Sequence, residues 1–270
     1  MATAERVVLF AIDGLRPDAL SQANPPEISR LIAAGAYTGQ ARSVTPSVSL
    51  PCWVSVFYGT PPARHNVVTN VWSPPQPPIP SLIDVVHEAG LGTAAFYNWE
   101  ELRDLSRPGA LDLAYYRRLG DPQGDCDLEI GAAAATCIPK HRPALTFIYL
   151  GALDEVGHRH GWMSAPYLHA LGKADRAIGL VRRALESAGL LSGTAFFVLS
   201  DHGGHGHDHA TGTDEDLTIP WLVSGPGVRR GHVIATPVNL ADTAPTVAHL
   251  LGLSRPEEWS GRVVVEALAS

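Results

Sequence analysis

The chain has 270 residues, 45% of them hydrophobic and 17% charged, with a formal net charge of −7. This composition supports a large buried core and argues against a disordered chain. The acidic balance gives no support for a broad basic face, so neither a nucleic-acid polymer nor a membrane surface is an expected partner.

Met1 to Arg6 lacks the charged-then-apolar signature of an export signal, and the apolar run that follows is too short to span a membrane. The three cysteines, Cys52, Cys126 and Cys137, are an odd number without metal-type spacing. Reduced thiols in a cytoplasmic protein are the expected state, with a Cys126–Cys137 bridge as the alternative.

Continuous apolar runs at Val7–Ile12, Gly92–Tyr97, Ala144–Leu150, Ala195–Leu199 and Ile219–Val223 predict strands buried on both faces. Helical spacing fills Glu27–Ala34, Ser81–Ala89, Pro166–Ala188 and Leu240–Leu251, each followed by or ending near a glycine. Gly35, Gly90, Gly189 and Gly252 are expected to take the left-handed conformation that stops a helix. The alternation predicts a three-layer α/β/α sandwich on a mostly parallel sheet. Ser73–Pro80 is proline-dense and reads as an extended loop. Residues 104–143 are weakly patterned and are expected to form a cap insertion within one catalytic domain spanning 1–270.

Ligands in such sheets bind at the carboxyl ends of strands. Asp13 follows the first strand, Asp154 and His158 follow Ala144–Leu150, and Asp201-His202 follow Ala195–Leu199. Histidine is abundant, at 12, and four of these (His202, His205, His207 and His209) crowd one short stretch. Carboxylate and imidazole side by side on a strand-end turn chelate a cation. Asp154 and His158, four apart, share a face of any helix through them. Singly, each feature has a plainer reading: Asp13 as a turn cap, Asp154/His158 as a surface pair. Ser49, in Thr45-Pro46-Ser47-Val48-Ser49-Leu50-Pro51, reads as a helix start, where a serine either caps or meets an anion.

Together these residues resemble the alkaline phosphatase superfamily, and its nucleotide pyrophosphatase/phosphodiesterase branch in particular. The resemblance runs from Val7-Val8-Leu9-Phe10-Ala11-Ile12-Asp13-Gly14 to Asp242-Thr243-Ala244-Pro245-Thr246 and includes Ser49-Leu50-Pro51 and Gly59-Thr60-Pro61-Pro62-Ala63-Arg64-His65. It implies an alkaline-phosphatase-like fold and two zinc ions, with manganese as a substitute. One zinc falls to Asp13, Ser49, Asp201 and His202. The other falls to Asp154, His158 and His209, with His205 and His207 as competitors for the last place. Ser49 is then the nucleophile of a covalent phosphoserine route, and Asn70 holds a phosphate oxygen with the backbone N–H groups at the helix start. The chain departs from the pattern at Asn66, where glycine is usual, at Ser49, where threonine is common, and at Ala210, where glycine is often seen.

The expected substrate is a small phosphodiester or pyrophosphate. A phosphomonoesterase is the first rival, since monoesterases need an extra cation that Asn70 does not supply. A sulfatase or phosphonate hydrolase ranks lower, because the sulfatase arginine is missing from Ser49-Leu50-Pro51-Cys52-Trp53. A catalytically silent metal-binding protein is the non-enzyme alternative. Trp72, Tyr97 and Trp99 read either as base-stacking or as buried aromatics.

Overall fold

The computed structural model describes residues 3–120 and 125–269. Among these, eight strands form one sheet: β1 (Arg6–Ile12), β2 (Gly35–Arg42), β3 (Thr93–Tyr97), β4 (Leu113–Tyr116), β5 (Leu145–Leu150), β6 (Thr194–Leu199), β7 (Thr218–Ser224) and β8 (His232–Val233). Their order is β4-β3-β5-β1-β6-β7-β2-β8. The block from β4 to β6 is parallel, while β7 runs antiparallel to both β6 and β2. The helices are α1 (Pro17–Ala23), α2 (Pro26–Ala34), α3 (Ser49–Tyr58), α4 (Pro62–His65), α5 (Leu82–Glu88), α6 (Asp125–His141), α7 (Ala152–His160), α8 (Ala165–Ser187), α9 (Asp214–Leu217) and α10 (Thr243–Leu250).

The continuous apolar strands have a direct cause in the two cores. Along β1, Val7, Leu9 and Ala11 point into one core, and Val8, Phe10 and Ile12 point into the other. Because side chains alternate across a strand, a strand covered on both faces must be apolar at every position. The first core is closed by α3, α5 and α10 through Trp53, Phe57, Leu82 and Val247. The second is closed by α1, α2, α6, α7 and α8 through Leu20, Ile28, Ile130, Val156 and Ile178. The result is the three-layer sandwich that the alternation predicts.

Several expectations change. Gly90, Gly189 and Gly252 do take positive φ, at 74°, 70° and 72°. Gly35 does not: its φ is −135°, and it opens β2 instead of merely ending α2. A Cβ there would come within 2.2 Å of the Val223 carbonyl on the neighbouring strand, so close strand approach explains this glycine. Leu240–Leu251 divides into a 3₁₀ turn over Leu240–Asp242 followed by α10. Cys126 and Cys137 are not bridged to one another. Both lie on α6, and eleven positions along a helix hold them about 16 Å apart, far beyond disulfide reach.

The expected cap over 104–143 is, in its described part, mostly sandwich. β4 extends the sheet at its edge beside β3, and α6 packs lengthwise on α8. Gly131 marks the closest approach: a Cβ at this position would lie 2.7 Å from the Ala177 Cβ. Of this segment only Leu119 lines the cleft described below, and residues 121–124 lie outside the described residues. Replacing Gly131 by Leu should overpack this seam and cost about 1–3 kcal/mol of global stability in urea unfolding. A detachable cap would absorb the change without moving the midpoint.

Candidate active site

Three adjacent central strands, β5, β1 and β6, end beside one another and deliver the acids. Asp13 directly follows β1, and Asp201 lies two positions beyond β6. β5 leads through Gly151 into α7, whose first turns carry Asp154 and, one turn on, His158. The corner is braced by Ser200, whose Oγ accepts from the Leu15 N–H and lies 2.8 Å from the Ile12 and His202 carbonyls. Gly14 turns with φ 68°, and its N–H donates to Asp201 Oδ1 at 3.2 Å. A side chain at Gly14 would press on Asp154, with Cβ 3.1 Å from Oδ1. Glycine at this point lets the first and second groups of ligands share one cleft.

The histidines are oriented by a repeated device. His202 Nδ1 faces the Gly203 carbonyl at 2.9 Å, His158 Nδ1 the His207 carbonyl at 2.9 Å, and His209 Nδ1 the Ser47 carbonyl at 2.7 Å. A carbonyl only accepts, so each Nδ1 carries the proton and each Nε2 turns its lone pair inward. His202 Nε2 lies 3.3 Å from Asp13 Oδ1, 3.4 Å from Asp201 Oδ2 and 3.2 Å from Ser49 Oγ. His158 Nε2 lies 3.4 Å from Asp154 Oδ2, and His209 Nε2 lies 3.9 Å from Asp154 Oδ1. The His202 and His209 rings stack at 3.7 Å, which sets the two groups side by side.

Ser49 is the first residue of α3, preceded by Val48 at the cap position, and is 6% exposed. Asn70 reaches the same place: its Oδ1 accepts from the Leu50 N–H at 2.9 Å. That bond changes one expectation. The Leu50 N–H is taken by Asn70 and is not open to a phosphate oxygen, while the amide is oriented with its NH2 as the remaining donor. Asn66 has φ 62°, so it supplies the left-handed turn for which glycine is the usual residue.

Of the competing histidines, His205 turns away, with Nδ1 2.8 Å from buried Asp216. His207 Nδ1 donates back to the His158 carbonyl at 2.9 Å, completing a two-way clasp between α7 and the histidine loop. The ligand atoms of Asp154 and His158 are therefore joined by one from His209, and by none from His205 or His207. Trp72 packs on Tyr58, and Tyr97 is buried in the first core. Trp99 stacks on Tyr149 and lines the cleft.

Other contributors carry no motif. The Tyr149 hydroxyl donates to Asp13 Oδ2. Trp162 packs edgewise on His158 and His209 and donates from Nε1 to the Gly14 carbonyl at 2.9 Å. Gly204 makes room for it, since a Cβ there would lie 2.2 Å from the indole. The only available signal for these residues is an aromatic beside a ligand in sequence, and buried aromatics are common enough to hide it.

Electrostatically the site is built for cations. Asp13, Asp154 and Asp201 each keep one buried carboxylate oxygen without a hydrogen-bond partner, namely Oδ1, Oδ1 and Oδ2. Burial pushes the Asp13 carboxyl up to about 6 and raises those of Asp154 and Asp201 well above the usual range. Burial also holds His202 and His209 low, keeping them neutral as ligands must be. Ligand atoms of Asp154, His158 and His209 lie within 4.8 Å of one another, as do those of Asp13, Asp154 and His202. Orphaned buried acids, neutral imidazoles and aimed lone pairs fit a metal centre.

A mostly parallel α/β/α sandwich with acids and imidazoles at three adjacent strand ends defines an alkaline-phosphatase-like hydrolase fold. The type I phosphodiesterase / nucleotide pyrophosphatase family model matches residues 7–82 and 80–222, and the chain belongs to that family. Mouse ectonucleotide pyrophosphatase/phosphodiesterase family member 1 is 28% identical over 218 residues, covering 73% of this chain and 24% of its own length. The Metarhizium majus sulfatase ppz1 is 30% identical over 138 residues, 48% of this chain and 31% of its own. The chain thus spans about a quarter to a third of these relatives' lengths. Among solved structures, murine ectonucleotide pyrophosphatase/phosphodiesterase 5 in complex with AMP superposes with a TM-score of 0.76 at 16% identity, covering 93% of this chain and 96% of that one. A 2-O GAG sulfatase superposes with a TM-score of 0.81 at 15% identity, covering 96% and 73%. At such identities these two likenesses speak for the fold.

The burden carried by Asp13 is measurable without metal. Its ionised form is disfavoured by burial, so the penalty is fully present above about pH 6 and vanishes as pH falls toward 4. Asp13→Asn should therefore stabilise the metal-free protein above pH 6, by on the order of 2 kcal/mol, with the gain shrinking on acidification. Urea titrations of both proteins between pH 4.5 and 7.5 check this; a gain that grows toward acid would contradict it.

Proposed function

We propose that this chain is a metal-dependent hydrolase that cleaves phosphodiester or pyrophosphate bonds through a phosphoserine at Ser49. The observation that carries the reading is the position of Ser49 Oγ: at the start of α3, 3.2 Å from His202 Nε2, facing the orphaned acids. Two zinc ions are the cations proposed, one held by Asp13, Asp201, His202 and Ser49, the other by Asp154, His158 and His209. Mixed imidazole and carboxylate donors favour zinc, with manganese as a substitute. When bound, such a pair supplies Lewis acidity and lowers the pKa of coordinated oxygens.

The chain's own groups then have defined parts. Ser49 Oγ attacks phosphorus, the bond from phosphorus to the leaving oxygen breaks, and water later splits the serine ester. The free NH2 of Asn70, fixed by the Leu50 N–H, holds a non-bridging oxygen. Trp99 and Leu119 form the wall on which the leaving group rests in a cleft of about 210 Å³. No Lys or Arg is found among the described residues lining that cleft, while Glu155 is. A singly charged diester is therefore favoured over a dianionic monoester. Trp53, fully buried, stands two positions after Pro51 where a sulfatase needs arginine, which keeps the sulfatase reading behind. Unbridged thiols also fit a cytoplasmic setting.

Metal analysis and three substrates test the reading together. We expect two zinc per chain and rates falling in the order bis(p-nitrophenyl) phosphate, p-nitrophenyl phosphate, p-nitrophenyl sulfate. Ser49→Ala should lose at least about 10³-fold in kcat, the scale of removing a nucleophile. Full activity in that variant, or fewer than two metals per wild-type chain, would sink the mechanism.

A further inference from the structure

α7 carries Asp154 and His158, yet it begins without a cap of its own. Its N-cap residue is Gly151, which has no side chain to satisfy the first N–H groups. Those groups are met from elsewhere in the fold. Asn98, directly after β3, accepts the Gly151 N–H on Oδ1 at 3.1 Å. Its amide Nδ2 donates to Asp127 Oδ1 at 2.7 Å, and that same oxygen lies 3.4 Å from the Ala152 N–H. Asn98 is 1% exposed and Asp127 fully buried.

We propose that Asn98 and Asp127 are positioning residues of the metal centre, capping α7 from outside so as to fix where Asp154 and His158 stand. Two independent observations support this. A Cβ on Gly151 would lie 3.1 Å from Asn98 Oδ1 and 2.8 Å from Tyr149 Cε1, so the glycine is what admits the cap. Asp127 Oδ2 is buried without a hydrogen-bond partner among the described residues, a costly state for a group whose only role is packing. β3 is the next strand out from β5, so a fourth strand end serves the site without touching the reacting atoms. The metal consequence rests on the proposed zinc site at Asp154, His158 and His209; the cap itself does not.

The test uses the full chain with two readouts, amide hydrogen exchange of the metal-free protein and zinc titration of each site. In Asn98→Ala, exchange at Gly151 to Leu153 should quicken at least about tenfold while the amides of β1 and β6 hold. Zinc affinity at the Asp154/His158/His209 site should fall about 10- to 100-fold, the usual effect of removing a ligand's supporting shell. The Asp13/Asp201/His202 site should stay unchanged. Asp127→Asn retains an acceptor for Asn98 and should keep both properties near wild type. Asn98→Asp, which keeps an acceptor for the Gly151 N–H but loses the donor to Asp127, should quicken exchange at Ala152 and Leu153 while Gly151 stays protected, and serves as the second variant if Asn98→Ala folds poorly. Wild-type exchange and affinity in Asn98→Ala would overturn the proposal, as would equal losses at both sites with uniform exchange. A wild-type chain that takes up no zinc at the second site would fail the metal reading alone, and the exchange pattern would still decide the cap.

Discussion

Three carboxylates, Asp13 and Asp201 buried and Asp154 half-buried, each with an oxygen that nothing among the described residues satisfies, are the constraint around which this molecule is arranged. Such groups are tolerated only where a cation or a proton compensates them. Their proximity comes from topology: β5, β1 and β6 are neighbours in the sheet although they are far apart in sequence. A parallel sheet puts all three carboxyl ends on one edge, so the backbone itself assembles the acids. The two cores on either face make that edge rigid, since β1, β5 and β6 are buried along their whole lengths.

Rigidity then passes outward through backbone hydrogen bonds. Each inward-facing imidazole is pinned by a main-chain carbonyl, and His158 and His207 bond one another's backbones. Ser49 is placed by a helix start, and Asn70 is placed by that helix's own N–H. Positions set by main chain tolerate little drift, which keeps the groups of the cleft oriented toward one another.

What the sequence shows and hides follows from the same physics. β1, β3, β5, β6 and β7 are legible because burial on both faces forces continuous apolar runs. β2 is not, since Gly35-Ala36-Tyr37-Thr38-Gly39-Gln40-Ala41-Arg42 mixes small and polar residues around a register shift. β4 escapes notice because it is an exposed edge strand of four residues. At the site, Asp13, Asp154, His158, Asp201 and His202 stand out because ligands must sit at strand ends, a position that periodicity reveals. Spacing alone leaves His205, His207 and His209 equivalent; the structure separates them through Asp216 and the His158 carbonyl. Tyr149, Trp162, Asn98 and Asp127 are invisible beforehand, because their roles depend on contacts across the fold.

The pinned imidazoles also determine where protons go when a cation arrives. His158, His202 and His209 already hold theirs on the nitrogen turned away from the cleft, so coordination asks for no tautomer exchange. The carboxyls are the groups that burial leaves uneasy, since it disfavours the charged form of Asp154 and Asp201. A cation in the cleft would thus relieve the aspartates of an uncompensated charge and leave the histidine frame as it was.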